Sequence, residues 1–155
     1  MTKGWFTRVP NINDDFAENP MNQQTLPLSG IRVIEFSHMV MGPSCGLVLA
    51  DLGAEVIKVE PPGKPDKPGD PTRYLTNTGA GYFPSFNRNK KSVILDMETV
   101  DGRAMAKQLI ADADVFLENF RPGGLAAKGF GYEDLAKDNP RLVYMAGHRG
   151  LRRTR

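Results

Sequence analysis

The stretch DVFLENFRPGG, Asp114 to Gly124, decides how this chain is read. Val115, Phe116 and Leu117 are three apolar residues in succession, the pattern of a strand buried on both faces. The chain then changes character at once, to Glu118, Asn119, Phe120, Arg121, Pro122, Gly123 and Gly124. An amide, an aromatic ring, a guanidinium and two glycines therefore stand just past the carboxyl end of a strand. In open α/β sheets that is where ligands are held.

Working outward, the same strand-like signal recurs. Ile31, Val33, Ile34 and Phe36 predict a first strand, AEVIKVE (54–60) a second, SVILDM (92–97) a third, and RLVYMA (141–146) a fifth after the one at 115–117. Helical segments separate them. GPSCGLVLADLG carries Pro43 in its first turn, Val48, Leu49 and Leu52 as its apolar face, and Gly53 as its stop. TVDGRAMAKQLIADA is expected to be capped by Asp101 and to bury Met105, Leu109 and Ile110, and YEDLAKDNP is a short helix ended by Pro140. Residues 61–81 are rich in proline and glycine and predict a long loop without regular elements. Strands alternating with helices predict a parallel, doubly wound α/β sheet. Residues 1–27, polar and aperiodic, are expected to form an N-terminal arm that Trp5 and Phe6 can dock. Residues 28–146 carry the sheet, and 147–155 form an atypical basic tail.

Bulk properties narrow the function. The 155 residues are 40% apolar and 25% charged with a net charge of +2, which fits a soluble globular domain and not a nucleic-acid binder. Cys45 is the single cysteine, so neither an intrachain disulfide nor a cysteine-based zinc site is expected. No apolar run approaches the ~20 residues of a membrane span. The opening MTKGWFTRVPNINDDF lacks the apolar core of a secretory signal. These features predict a cytoplasmic protein with no membrane contact and no metal.

The candidate binding residues gather at the strand exits. Arg121 is placed to meet a phosphate in bidentate fashion, and Phe120 to stack on a flat ring. A solvated turn is the competing reading of the same residues. The turn after the first strand holds only Gly42 and Gly46, so the G-x-G-x-x-G fingerprint of a dinucleotide site is missing. Glu60 sits where a ribose-binding acid would, or simply ends its strand in solvent. Arg88, Lys90 and Lys91 read as either a solvated edge or a cationic collar that Arg73 can join. His38 and Cys45 read as packed residues. His148 falls in the basic tail.

Four motifs in order, LSGIRVIEFSHMVMGPSCGLVLADLGAEVIKVEPPG, FNRNKKSVILDMETVDGR, DVFLENFRPGGLAAKGFGYEDL and NPRLVYM, resemble the family III CoA-transferases. The family also contains the α-methylacyl-CoA racemases. The resemblance runs from about Leu28 to Met145. It implies coenzyme A as ligand, in the form of an acyl-CoA substrate, with a carboxylic acid as acceptor. It also implies a Rossmann-like large domain, an α/β fold with a mostly parallel sheet and flanking helices of which this chain is part, and an interlocked homodimer. By matching position, CoA contacts fall on Val40, Met41, Leu95, Glu98, Asn119, Phe120 and Arg121. Ala127 and Pro61 stand where the family often carries basic residues, and Lys64, Lys67 or Lys128 are the candidate substitutes. The family's aspartate nucleophile lies past the matched region, so no catalytic residue is assigned. The chain is accordingly expected to be an N-terminal fragment, poorly soluble alone. A 2-methylacyl-CoA racemase and a non-catalytic product are the alternatives, with a nicotinamide-dependent enzyme a more distant one.

Overall fold

The computed structural model describes residues 25–147. Most of the expected N-terminal arm, with Trp5 and Phe6, and the basic tail with His148 lie outside the described residues.

In chain order the elements are β1 (Arg32–Phe36), α1 (Met41–Asp51), β2 (Glu55–Glu60), the short ribbon β3 (Gly63–Lys64) and β4 (Lys67–Pro68), α2 (Tyr82–Asn87), β5 (Lys91–Ile94), α3 (Val100–Ala111), β6 (Val115–Glu118), α4 (Tyr132–Asp138) and β7 (Val143–Ala146). Five strands form one sheet in the order β5-β2-β1-β6-β7. Every neighbouring pair in it is parallel, with Ile34 opposite both Ile57 and Phe116. This is the α/β architecture expected from the alternation of strands and helices. The winding goes from β1 outward through β2 to β5, then returns to the other side of β1 with β6. The order therefore reverses between β1 and β6, and a crevice opens past their carboxyl ends.

Strand alternation divides the core in two. Ile34, Phe36, Val59, Leu95 and Phe116 face α3 and α4, where they meet Ala106, Ile110, Leu135 and Phe130. Phe36 contacts the Phe116 ring edge-on at 5.2 Å. Val33, Val56 and Leu117 face α1 and pack on Ala50 and Ala54. Each large side chain fully buried here contributes about 1.5–3 kcal/mol, so the larger cluster under α3 is the main source of stability.

Local details depart from the sequence reading. Of the expected apolar face of α1, Leu49 packs against the smaller core cluster but Val48 and Leu52 do not. Val48 and Leu52 are 57% and 40% exposed, while Gly42, Pro43, Gly46 and Ala50 are buried. Small residues let the helix axis come close to the sheet, and that proximity outweighs the larger side chains on the other side. Gly53 does end α1, with φ of +101°. Thr99, not Asp101, caps α3. Its hydroxyl accepts from the Gly102 N–H at 3.0 Å, and Asp101 lies in the first turn, where a carboxylate complements the helix dipole. Met105 is exposed, and α3 buries Gly102, Ala106 and Ile110. Residues 61–81, expected to be irregular, contain the β3–β4 ribbon and two 3-10 turns, Pro71–Tyr74 and Asn77–Gly79. Helix α2 was not anticipated. Pro84 sits in its first turn, where no intrahelical N–H is required.

Candidate functional site

The two loops at the switch point are laced together by Asn119. The His38 N–H donates to Asn119 Oδ1 at 2.9 Å, and Asn119 Nδ2 donates to the His38 carbonyl at 2.9 Å. The amide thus ties the exit of β6 to the exit of β1. Gly42 makes room for it, since a Cβ at 42 would lie 2.6 Å from Ser37 Cβ and 2.9 Å from Asn119 Cγ. Beside it the His38 ring sits 5.2 Å from the Phe120 ring. Met39 takes a left-handed φ of 63°, an uncommon conformation for a side chain of that size, at the point where the chain swings from β1 into α1.

A cleft of about 650 Å³ opens at this edge. Its apolar floor is Phe36, Val59, Leu95 and Leu125. Phe120 and Arg121 contribute from the β6 exit, Met97 and Glu98 from the β5 exit, Ser37 from the β1 exit, and Asp70 from the long loop after β2. Of the CoA contacts expected from the resemblance, Leu95, Glu98, Phe120 and Arg121 line this cleft, and so do His38 and Glu60. Asn119 holds its rim in place. Val40 and Met41 stand at the N-terminus of α1, exposed and outside the lining. Pro61 and Lys128 line it, whereas Lys64 and Lys67 sit exposed on the ribbon. Arg121 has no ion-pair or hydrogen-bond partner among the described residues, so its guanidinium is available to an anion.

The cationic collar does not form. Lys90 is turned inward with its side chain 2% exposed, its ammonium 2.7 Å from Glu35 Oε2 and 2.8 Å from the Pro43 carbonyl. Burial draws its pKa below the usual lysine value, against the opposing pull of Glu35. Lys91, its neighbour and the first residue of β5, is exposed and pairs with Glu55 at 2.5 Å. Arg73 is also committed. It grips Glu60 through two bonds of 2.7 and 2.6 Å and lies 3.8 Å over the Phe83 ring. Arg88 pairs with Asp51 at 2.6 Å.

Glu60 lines the cleft and is not a solvated strand end. It is buried and accepts from Arg73, from the Asp70 N–H at 2.7 Å and from Ser92 Oγ at 2.7 Å. Burial alone would raise its pKa, but these donors outweigh it and hold the carboxyl below its ordinary value.

Beneath the cleft lies a charged network that the sequence reading missed. Lys58, 1% exposed, donates to the Ser37 carbonyl at 2.6 Å and lies 3.2 Å from Asp70 Oδ2 and 3.6 Å from Glu35 Oε1. Glu35 also accepts from the Ser37 hydroxyl. Two carboxylates and two ammonium groups balance one another there, which is how buried charge is tolerated. Lys58 joins the β1 exit to the long loop after β2, so it fixes two walls of the cleft relative to each other. A signal existed in the sequence: Glu35 shares parity with buried Val33, and Lys58 with buried Val56.

Cys45 packs beside the smaller core cluster, and burial pushes its thiol pKa up, the opposite of a reactive cysteine. Among the described residues no group of three or more His, Cys, Asp or Glu side chains is placed to hold a metal ion, and no helix is long and apolar enough to cross a membrane.

The sequence profile of CoA-transferase family III matches residues 28–149. The chain is 46% identical over 117 residues to succinyl-CoA–D-citramalate CoA-transferase of Chloroflexus aurantiacus, covering 76% of this chain and 29% of that enzyme. It is 44% identical over 122 residues to mouse succinyl-CoA:glutarate CoA-transferase, covering 76% of this chain and 27% of that protein. The structure of Rv3272 from Mycobacterium tuberculosis superposes with a TM-score of 0.74 at 44% identity, over 80% of this chain and 35% of that one. The chain therefore spans less than a third of the length of these two curated enzymes.

Proposed function

This chain belongs to CoA-transferase family III, and from that premise we propose that its cleft binds the CoA moiety of an acyl-CoA for transfer of CoA to a carboxylic acid. The observation that carries the reading is the pairing, on one wall at the switch point, of an exposed ring, Phe120, with an uncommitted guanidinium, Arg121. Coenzyme A presents the complementary chemistry, a flat adenine together with a pyrophosphate and a 3′-phosphate. The cleft volume lies within the range of sites that take ligands of this size. Its apolar floor of Phe36, Val59 and Leu95 suits the less polar parts of the carrier.

The transfer proposed is covalent. An aspartate carboxylate attacks the acyl thioester carbonyl and expels the CoA thiolate, leaving a mixed anhydride. The thiolate then attacks the aspartyl carbonyl of that anhydride, releasing the donor acid and leaving an aspartyl-CoA thioester. The acceptor acid repeats the sequence in reverse and departs as its CoA ester. None of residues 25–147 is assigned as that nucleophile. Their part is to bind and orient the carrier. An interlocked homodimer and a cytoplasmic setting belong to the same proposal.

Calorimetric titration of the full chain with CoA tests it, with Arg121→Ala alongside. Loss of a charge-assisted contact to phosphate is expected to weaken binding by about tenfold or more. Measurable binding that Arg121→Ala leaves unchanged would overturn the site assignment.

A further inference from the structure

Besides Arg121, the other cationic side chain lining the cleft is Lys128, and it is not free. It projects from the 3-10 turn Ala126–Lys128 after β6 and pairs with Glu98 from the loop after β5. Both residues line the cleft, and they come from strands at opposite sides of the sheet, β5 at one edge and β6 beyond β1. The pair therefore bridges the two walls. Each end is held by its own backbone. Arg103 donates to the carbonyls of Met97 and Glu98 at 3.0 and 2.9 Å, fixing the Glu98 loop. The Lys128 N–H donates to the Leu125 carbonyl at 3.0 Å, within the turn that closes at Gly129.

The two side chains differ in setting. Lys128 is 35% exposed and Glu98 is 79% exposed. An ion pair with one partner so fully in water is weak and opens at little cost. A ligand phosphate entering the cleft meets a lysine already neutralised by an exposed carboxylate, and must displace it.

We propose that Glu98 is an affinity- and specificity-determining residue of the cleft, a competing anion that a ligand must displace from Lys128. The inference rests on the reading of the cleft as a CoA site and adds to it. Ligands that bring a phosphate of their own replace Glu98 on Lys128, and those without one face an occupied cation. Glu98 thus lowers the affinity for every anionic ligand and leaves neutral ones largely unaffected.

The test is a double-substitution cycle read by calorimetric titration of the full chain with CoA, using Glu98→Gln, Lys128→Met and both together. Glu98→Gln is expected to tighten CoA binding by about two- to fivefold, the scale of an exposed ion pair. Lys128→Met is expected to weaken it, and in that background Glu98→Gln is expected to give no gain. Pantetheine, which lacks all the phosphates, is expected to gain nothing from Glu98→Gln. An equal gain with and without Lys128, or an equal gain for pantetheine, overturns the proposal, because the glutamate then acts without the lysine or without the phosphate. Arg121→Ala separates the two readings. If it abolishes CoA binding while the cycle shows no coupling, the CoA site stands and the role of Glu98 falls. If the full chain binds no CoA, both fall. Thermal midpoints of Glu98→Gln equal to the parent's exclude a folding artefact.

Discussion

Replacing Gly46 by alanine is expected to destabilise the protein, although alanine is the better helix former. An added Cβ at 46 would sit 1.8 Å from Glu35 Oε2, 2.9 Å from its Cδ and 3.0 Å from Lys90 Nζ. Glu35 is completely buried and is held by Ser37, Lys58 and Lys90, so it has nowhere to retreat. Alanine's helix propensity favours the variant by about 1 kcal/mol. Overpacking opposes it by about 1–3 kcal/mol. Loss of one partner from a buried ion pair costs about 3–5 kcal/mol, and displacement without removal costs less. The net loss comes to about 3 kcal/mol, a large share of the ~5–15 kcal/mol typical of a folded domain. Urea unfolding followed by circular dichroism at pH 7 measures it. Ala104→Gly, at an exposed site in α3, calibrates the propensity contribution at about 1 kcal/mol of loss. The same strain reaches the cleft through Ser37 and Lys58, so CoA affinity is expected to fall with it. Stability at or above that of the parent chain would refute the close approach of α1 to the buried pair.

Three other outcomes are expected. Asn119→Ala removes both hydrogen bonds to the His38 backbone, each worth about 0.5–1.5 kcal/mol, so it is expected to cost about 1–3 kcal/mol in urea unfolding and to weaken CoA binding; Asn119→Asp, which keeps one bond, falls between. The depressed pKa of Glu60 contributes stability that is complete above its ordinary value of 4.5 and is lost as pH falls through the lower folded value. Urea midpoints of the parent should therefore drop more steeply below pH 4.5 than those of Glu60→Gln, the two curves converging in acid; parallel curves would contradict the assignment. On the α1 side of the sheet, the edge strand β7 presents Val143 and Met145, 60% and 40% exposed, with Met145 reaching Cys45 of α1. Replacing both with lysine is expected to raise the monomeric fraction in size-exclusion chromatography, because charge at an edge discourages strand pairing; an unchanged profile would remove this edge as the cause of association.

Much of the architecture was legible in the residues themselves. Runs such as Val33–Ile34 and Val115–Phe116–Leu117 can satisfy their side chains only as buried strands, and Gly53 marked the end of α1 because a left-handed φ suits glycine best. The loop from Asn119 to Arg121 was legible for the same reason: polar groups directly after a buried strand must emerge at its carboxyl end. What periodicity does not encode is distance across the chain. Lys90 and Lys91 are neighbours of the same charge, yet one is sealed against Glu35 and the other pairs at the surface with Glu55. Glu60 and Arg73 look like free site residues until the long loop folds back and joins them. Local pattern determined which segments became strands and helices. Only the packed sheet decided which charges lie within reach of one another, because that depends on strand order and on how near two glycines let α1 approach.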